Sequence, residues 1–312
     1  MSDPRDVTGT IFDFDETALH DGPGVRMTLY LKGCPLTCAW CHSPESQAAG
    51  PEVVWYETRC GGCRACAGAC PQSVRRPGLI APEDRARCTL CGACIEACPA
   101  GALEVKGRAI TAGEVADRAD RLKPFFARTG GGVTITGGEP TAQPDFALAI
   151  ATLCREVGIH VALETCGLAP WETIESLAEV VDLWLYDLKL PDSASHEEYT
   201  GAGNEQIIEN MRALIESGAE VLVRVPLIPE VNDDEGTIRE IARLVAGVGA
   251  RRIELLPFNP ATGGKYSWLG LANPLPGARR QSPERVAQLE AVCAECGLGT
   301  GKDSEDDTSR AH

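Results

Sequence analysis

The chain has 312 residues, a hydrophobic fraction of 44% and a formal net charge of −16. This length fits one large domain, or a domain that carries a smaller insert. The negative charge argues against nucleic acid or an anionic membrane as a main partner. No run of about 18 apolar residues occurs, so the sequence predicts no membrane span.

The chain contains 15 cysteines. Residues 1–10 are polar and lack the apolar stretch of a secretion signal. Without such a signal, many cysteines indicate metal ligands in a reducing compartment rather than disulfides. We therefore expect a cytoplasmic, oxygen-sensitive protein that is a monomer when free.

The first predicted strand leads into a cysteine motif. Residues 8–19 are predicted to be extended, and residues 26–32 alternate apolar and polar side chains as a strand does. Cys34, Cys38 and Cys41 follow in the spacing C-x3-C-x2-C. Three thiolates can hold three irons of a [4Fe-4S] cluster and leave the fourth open, whereas an electron carrier normally fills it with a fourth cysteine. The alternatives are an incomplete zinc knuckle, for which C-x3-C is an unusual spacing, and three buried cysteines.

A cysteine-dense block occupies the next stretch. The pattern C-x2-C-x2-C-x3-C-P occurs twice, and this internal repeat resembles a bacterial ferredoxin with two four-iron clusters. In such ferredoxins the fourth cysteine of each run ligates the other cluster. The resemblance therefore implies two ligand sets: Cys60, Cys63, Cys66 and Cys98, and Cys88, Cys91, Cys94 and Cys70. Zinc is the alternative, and residues 102–110 are predicted to form a hairpin that closes the module.

Helices and strands then alternate along the chain. Helices are predicted over 113–128, 144–157, 171–178, 196–217, 234–246 and 283–296, and strands over 132–136, 159–165, 183–190, 220–228 and 252–258. Several strands are continuous apolar runs, as expected when helices cover a parallel sheet. With the strand before Cys34 this makes six strands, too few for a closed eight-fold barrel. The order predicts an α/β fold with a parallel barrel or a doubly wound sheet.

The C-x3-C-x2-C motif is followed, about a hundred residues later, by Gly137, Gly138, Glu139 and Pro140. Alone, this GGEP string is a weak turn motif. Together the two motifs resemble the radical S-adenosylmethionine (radical SAM) enzymes. The resemblance implies a partial (β/α)6 TIM-like barrel with an inserted bacterial 2[4Fe-4S] ferredoxin-like module. It implies a barrel start with the cluster loop over 8–50, an insert over 51–110, the barrel remainder over 111–298 and a disordered acidic tail over 299–312.

In that family the three cysteines are catalytic because their cluster leaves one iron to chelate the amino and carboxylate groups of SAM, and the GGEP residues bind the SAM amino group. The wider string over 131–140 resembles the activating enzymes of glycyl-radical enzymes, the pyruvate formate-lyase activase-like family. That resemblance implies that Glu164, Thr165 and Asp187 lie near a monovalent cation. It also implies that Lys189 meets the SAM carboxylate and that Arg224 lies near SAM. The alternative for each of these, taken alone, is a charged group at a strand end, and four matches in the right order argue against coincidence.

Two further positions bear on the same site. Asn259 stands where many activases carry a histidine, and the resemblance implies a SAM contact that cannot carry charge. Residues 21–26 resemble the family's DGPGxR element, which either receives the glycine loop of a partner or forms a tight turn. The remaining cysteines are predicted to be small buried residues: Cys154, Cys166, Cys293 and Cys296.

The resemblance implies an enzyme with three [4Fe-4S] clusters and SAM. It would cleave SAM reductively to a 5'-deoxyadenosyl radical, which takes a hydrogen from the α-carbon of a glycine in a partner protein. The electron would come from a ferredoxin or flavodoxin through the insert. The insert groups the chain with activases of choline lyase, glycerol dehydratase, arylacetate decarboxylases or the fumarate-adding synthases. The alternatives are a radical SAM enzyme acting on a small molecule or peptide, and an iron–sulfur electron-transfer protein.

Overall fold

The computed structural model describes residues 3–300, and their strands form two sheets. The strands are β1 (Thr8–Ala18), β2 (Arg26–Leu31), β3 (Glu52–Trp55), β4 (Leu103–Lys106), β5 (Arg108–Thr111), β6 (Gly132–Gly137), β7 (His160–Thr165), β8 (Leu183–Asp187), β9 (Val221–Pro226), β10 (Arg252–Leu256) and β11 (Gly299–Thr300). The helices are α1 (Ala65–Gly68), α2 (Ala93–Glu96), α3 (Ala112–Thr129), α4 (Pro144–Glu156), α5 (Trp171–Ala178), α6 (Ser193–Thr200), α7 (Glu205–Glu216), α8 (Glu235–Gly247), α9 (Gly263–Trp268) and α10 (Pro283–Glu295).

The larger sheet has nine strands in the order β11-β10-β9-β8-β7-β6-β2-β1-β5. Each neighbouring pair from β2 to β11 is parallel, whereas β1 runs antiparallel to both β2 and β5. The six strands predicted from the sequence are therefore adjacent and parallel. This mixed α/β sheet is consistent with a partial TIM-like barrel. In such a sheet the carboxyl ends of the parallel strands share one edge, where catalytic loops gather.

The main core lies between this sheet and the surrounding helices. It unites fully buried residues such as Ile135, Ile150, Trp184 and Ile241. Continuous apolar runs in the parallel strands pack on both faces, as the sequence predicts. Local signals set the helix ends: Thr111 and Glu114 form a reciprocal capping box at the start of α3.

The cysteine-dense block builds its own small unit. β3 and β4 pair antiparallel in a separate two-stranded sheet, and α1 and α2 lie between them in the chain. The predicted hairpin over 102–110 is wrong. β4 belongs to the small sheet, while β5 pairs with β1 of the large sheet. Gly107, with φ of +113°, turns the chain from one sheet to the other.

Other boundaries differ from the prediction for local reasons. The single helix predicted over 196–217 is two helices, because α6 ends at Gly201 with φ of +87° and α7 begins four residues later. The short helix α9 was not predicted. Gly299 and Thr300, predicted to belong to the tail, pair with β10, and the rest of that tail lies outside the described residues. Within residues 3–300, no helix is long and apolar enough to cross a membrane.

Candidate active site

The three-cysteine loop leaves the carboxyl end of β2 and is held by its own backbone. The Gly33 amide donates to the Ser46 carbonyl at 2.7 Å, and the Cys34 amide donates to Gln47 at 3.1 Å. Farther along, the Thr37 amide donates to the carbonyl of Thr200 in α6 at 2.8 Å. These bonds hold the loop from both sides.

The GGEP turn packs directly against the start of that loop. The Glu139 amide donates to the Gly33 carbonyl at 2.7 Å, and the Gly138 amide donates to Leu31 at 2.7 Å. A Cβ on Gly138 would lie 2.3 Å from the Gly33 carbonyl oxygen, and Gly137 has φ of +114°. Both glycines are therefore required by close backbone contact between β2 and β6.

The Glu139 carboxylate is buried and already accepts four hydrogen bonds. Oε1 accepts from the Thr141 amide at 3.0 Å, the Thr141 hydroxyl at 2.9 Å and the Thr165 hydroxyl at 2.7 Å. Oε2 accepts from the Cys166 amide at 2.7 Å. The Glu139 side chain thus links the end of β6 to the end of β7, and the Thr165 hydroxyl forms one of the linking hydrogen bonds. A direct contact of either side chain with SAM stays a prediction.

Cys166 lies beside Cys34 and was not singled out as a functional residue in the sequence. Its thiol donates to Cys34, which lowers the pKa of Cys34 and raises that of Cys166. The lowered pKa favours the thiolate, the form that binds iron. By contrast, burial raises the pKa of Cys38 to about 12 and that of Cys41 to about 11. Its position in the sequence could have indicated this role, because Cys166 directly follows β7 at the edge of the sheet where the parallel strands end.

Lys189 supplies a buried positive charge next to the loop. Its Nζ donates to Asp187 at 2.7 Å, and 8% of the residue is exposed. Burial alone would lower the pKa of Lys189, but Asp187 and the nearby Cys38 and Cys166 thiols raise it. A fixed ammonium beside Cys38 suits a carboxylate ligand bound at the same place.

Arg224 is committed to other groups of the protein. Its guanidinium lies 2.8 Å from Glu254 and 3.1 Å from Glu164, and donates to the His20 carbonyl at 2.6 Å. Burial would lower its pKa, but Glu164 and Glu254 raise it. Glu164 also accepts from Thr136 at 2.7 Å. These bonds link Arg224 of β9 to β7, to β10 and to the segment after β1. A contact between Arg224 and SAM stays a prediction.

A further group of contacts ties the loop to the segment after β10. The Asn259 amide nitrogen lies 3.1 Å from His42 Nε2, next to Cys41. Both side chains are exposed, so this pair lies at the mouth of the site. Pro140 is buried at the start of a short 3-10 helix that follows the GGEP glycines. The structure thus places Asn259 beside the cluster loop, and its contact with SAM stays a prediction.

Glu45 also belongs to this region and the sequence did not reveal it. The side chain is 2% exposed, and its Oε1 accepts from Lys265 of α9 at 2.8 Å. Its carbonyl accepts from the buried Lys32 at 2.5 Å. Tyr266 of α9 donates to the Cys41 carbonyl at 3.3 Å. The unpredicted helix α9 therefore closes on the three-cysteine loop through a charged pair and a hydroxyl.

Arg26 of the DGPG segment has a structural role. It is fully buried, and its guanidinium donates to the Val133 carbonyl at 2.6 Å and to Pro23 at 3.2 Å. It begins β2, at the end opposite Cys34. Of the two interpretations, the contacts of Arg26 fit the tight turn.

The eight remaining motif cysteines line two cavities in the small unit. The first is lined by Cys60, Cys63, Cys66 and Cys98. The second is lined by Cys70, Cys88, Cys91 and Cys94. This is the same crossed grouping as the duplicated motif implies. Each cavity also holds one buried donor without a hydrogen-bond partner in the described chain: Trp55 Nε1 in the first and Arg75 Nη2 in the second.

No group of three or more His, Cys, Asp or Glu within residues 3–300 is arranged to hold a single metal ion. A zinc site made of four cysteines would bring its sulfurs around one ion. A four-iron cluster differs, because each cysteine binds a separate iron. The monovalent cation near Glu164 and Asp187 stays a prediction, since both carboxylates face cationic side chains instead.

Comparison with known proteins gives the family. The model of the radical SAM superfamily matches residues 29–244. The choline trimethylamine-lyase activating enzyme of Oleidesulfovibrio alaskensis is 39% identical over 292 residues, covering 90% of this chain and 93% of that protein. The trans-4-hydroxy-L-proline dehydratase activating enzyme of Clostridioides difficile is 37% identical, covering 90% and 95%. The benzylsuccinate synthase activating enzyme of Thauera aromatica is 39% identical, covering 84% and 82%.

Among solved structures, Streptococcus suis SuiB bound to its precursor peptide SuiA superposes with a TM-score of 0.53 at 14% identity. The match covers 88% of this chain and 48% of that one, and it supports the fold alone. The curated relatives match over nearly their whole length and are named as activating enzymes, which favours that function over an electron carrier. The chain therefore belongs to the radical SAM superfamily and, within it, to the activating enzymes of glycyl-radical enzymes.

Proposed function

We propose that this chain activates a glycyl-radical enzyme, with Cys34, Cys38 and Cys41 holding the catalytic [4Fe-4S] cluster. The observation that carries the proposal is the meeting of this loop with the GGEP turn and Lys189 at one edge of the sheet. When bound, the cluster supplies one electron to SAM, whose sulfur–C5' bond then breaks to give methionine and a 5'-deoxyadenosyl radical. That radical takes a hydrogen atom from a glycine α-carbon of the partner, which leaves 5'-deoxyadenosine and a glycyl radical.

The protein's own part is to hold SAM in one orientation while that bond breaks. Lys189 would pair with the methionine carboxylate, and the hydrogen bond to Asp187 at 2.7 Å holds the ammonium in position. The Glu139 carboxylate would accept from the methionine ammonium group beside its protein donors, since Oε2 accepts one hydrogen bond and keeps a second lone pair. Asn259 and His42, exposed at the mouth, would contact the adenosyl part.

The small unit is assigned as a two-cluster ferredoxin-like module. The donor set of each cavity supports this, because four thiols and a partnerless buried N–H suit a cluster whose sulfurs accept hydrogen bonds. Cys63 and Cys91, one cysteine of each set, are exposed. An external ferredoxin or flavodoxin could therefore deliver its electron at either cavity, and the module would pass it to the catalytic cluster.

The test reconstitutes the full chain with iron and sulfide without oxygen, then adds SAM and dithionite. We expect 5'-deoxyadenosine, and an EPR-visible organic radical on a purified partner. The partners to try first are choline trimethylamine-lyase and trans-4-hydroxy-L-proline dehydratase, which the names of two relatives give. No 5'-deoxyadenosine from a fully iron-loaded chain would overturn the proposal.

The relay is tested separately with Cys66→Ala. If the module carries electrons, this variant loses activity with a reduced ferredoxin or flavodoxin but keeps part of its activity with dithionite. Equal loss with both reductants, together with loss of the fold by circular dichroism, would make the module structural instead.

A further inference from the structure

The two cavities of the small unit differ in charge. Both give backbone amides to sulfur: in the first, Gly78 donates to Cys66 and Ala102 donates to Cys98, each at 3.4 Å. In the second, the backbone amides of residues 72–75 donate toward the Cys70 sulfur. Neutral amides therefore act on both sites. The cavities also differ in their partnerless side-chain donors.

Those donors are a neutral indole and a guanidinium. Trp55 offers an uncharged N–H to the first cavity, and Arg75 offers a positive charge to the second. Arg75 is 5% exposed, and its Nη1 donates to the Gly78 carbonyl at 2.6 Å, which fixes the guanidinium in place. Arg75 lines this cavity together with the four cysteines of the second set, so its charge lies beside them.

The other arginines near these cavities are neutralised or solvated. Arg85 lies 3.1 Å from Glu52, and Arg87 lies 2.9 Å from Asp84. Arg64, which lines the first cavity, is exposed, so water screens its charge. Arg75 has no ion pair in the part of the chain that the structure describes. In a site of low dielectric such a charge acts strongly on its neighbours.

We propose that Arg75 raises the reduction potential of the cluster held by Cys70, Cys88, Cys91 and Cys94 above that of the other insert cluster. The inference rests on the proposed assignment of the insert. Reduction adds one negative charge to a cluster, and a fixed cation stabilises that charge, so net charge and hydrogen bonds to sulfur set the potential. An electron that enters the insert therefore resides preferentially on this second cluster. Arg75 is a tuning residue that acts through the cluster and not on SAM.

The test uses the full chain with Cys38→Ala, so that EPR-monitored redox titration reports the insert clusters alone. We expect two midpoint potentials in this parent. Arg75→Gln should move the higher one to a more negative value and narrow the gap, because the amide keeps a donor but loses the charge. Arg75→Lys, which keeps the charge, should restore most of the gap. The matched control is Arg76→Gln, an adjacent arginine that is 67% exposed and 3.6 Å from Glu83.

An unchanged higher midpoint in Arg75→Gln, or an equal shift in Arg76→Gln, would overturn the inference alone. A parent that binds markedly fewer than the roughly eight irons of two four-iron clusters would overturn the insert assignment and the inference together. If Arg75→Gln loses iron, Arg75→Met carries the same prediction. Iron loss from both neutral variants would assign Arg75 to cluster assembly and also overturn the tuning role.

Discussion

The three-cysteine loop and the eight-cysteine insert both present thiols for iron, but the protein holds them differently. The loop is fixed by backbone bonds to Ser46, Gln47 and Thr200 and stands on the large core of the sheet. The insert has a small core in which two ligands, Cys66 and Cys94, are themselves core residues. The loop therefore rests on the large core, whereas the insert cysteines belong to a small core of their own. Removing iron should therefore affect the two regions differently.

The largest expected effect is on chemistry at the loop. Cys38→Ala removes one of three iron ligands, so 5'-deoxyadenosine formation should fall to background while the fold and the insert iron remain. The measurement is 5'-deoxyadenosine by chromatography, with iron content and circular dichroism alongside. Cys296→Ala, outside every predicted ligand set, is the matched control and should keep wild-type activity. Retained activity in Cys38→Ala would contradict the assignment of the three-cysteine loop as the site of SAM cleavage.

Removal of iron by chelation should separate the regions by stability. The insert would lose the contents of both cavities and become sensitive to protease between residues 60 and 100, because its own apolar core is too small to hold it. The sheet should remain folded. Limited proteolysis followed by mass spectrometry gives the cut sites. Equal protease resistance of the iron-loaded and the iron-free insert would show that the insert keeps its fold without iron.

Loss of the buried cation next to the loop should weaken SAM binding. Lys189→Met removes a charged hydrogen bond worth about 1.5–3 kcal/mol, which corresponds to about ten- to hundredfold weaker binding. Equilibrium dialysis of the iron-loaded chain against SAM measures this directly. Lys123→Met, on the outer helix α3, should leave the dissociation constant unchanged. Unaltered affinity in Lys189→Met would mean that Lys189 serves Asp187 alone.

The smallest expected effect concerns Cys166. Because its thiol lowers the pKa of Cys34, Cys166→Ala should raise that pKa, and the pH at which Cys34 becomes reactive should move upward. At pH 7 we expect a few-fold slower alkylation of Cys34 in the iron-free protein, since a hydrogen bond is worth about 1 kcal/mol. Mass spectrometry of iodoacetamide-treated protein follows this. Cys154→Ala, in the main core away from the loop, should change nothing, and the same rate in both variants would contradict the contact.

Much of this fold was predictable because its signals are local. Apolar runs and intervening helices placed the six parallel strands, and the duplicated cysteine motif grouped the eight cysteines as the cavities do. Other features escaped prediction for separate reasons. The pairing of β5 with β1 is invisible from residues 102–110, and α9 is only six residues long.

The same reason explains the site. Gly137 and Gly138 are marked by a motif, so their role in the close approach of two strands could be anticipated. Glu45 carries no motif of its own, and its meeting with Lys265 joins positions 220 residues apart. Arg224 was predicted as a ligand contact, but the sequence could not reveal that Glu164 and Glu254 both face it.

Lys32 has a consequence for the independence of the insert. Its ammonium is fully buried at the end of β2, and the carboxylate within its reach, 3.5 Å away, is Glu52 of the insert. Excising residues 51–107 would strand this lysine without its counter-ion beneath the catalytic loop. The insert is therefore not a detachable cassette. A minimal activase engineered from this chain would need Lys32→Met together with the deletion. Deleting the insert first would leave the buried lysine without Glu52, so Lys32→Met should come before the deletion.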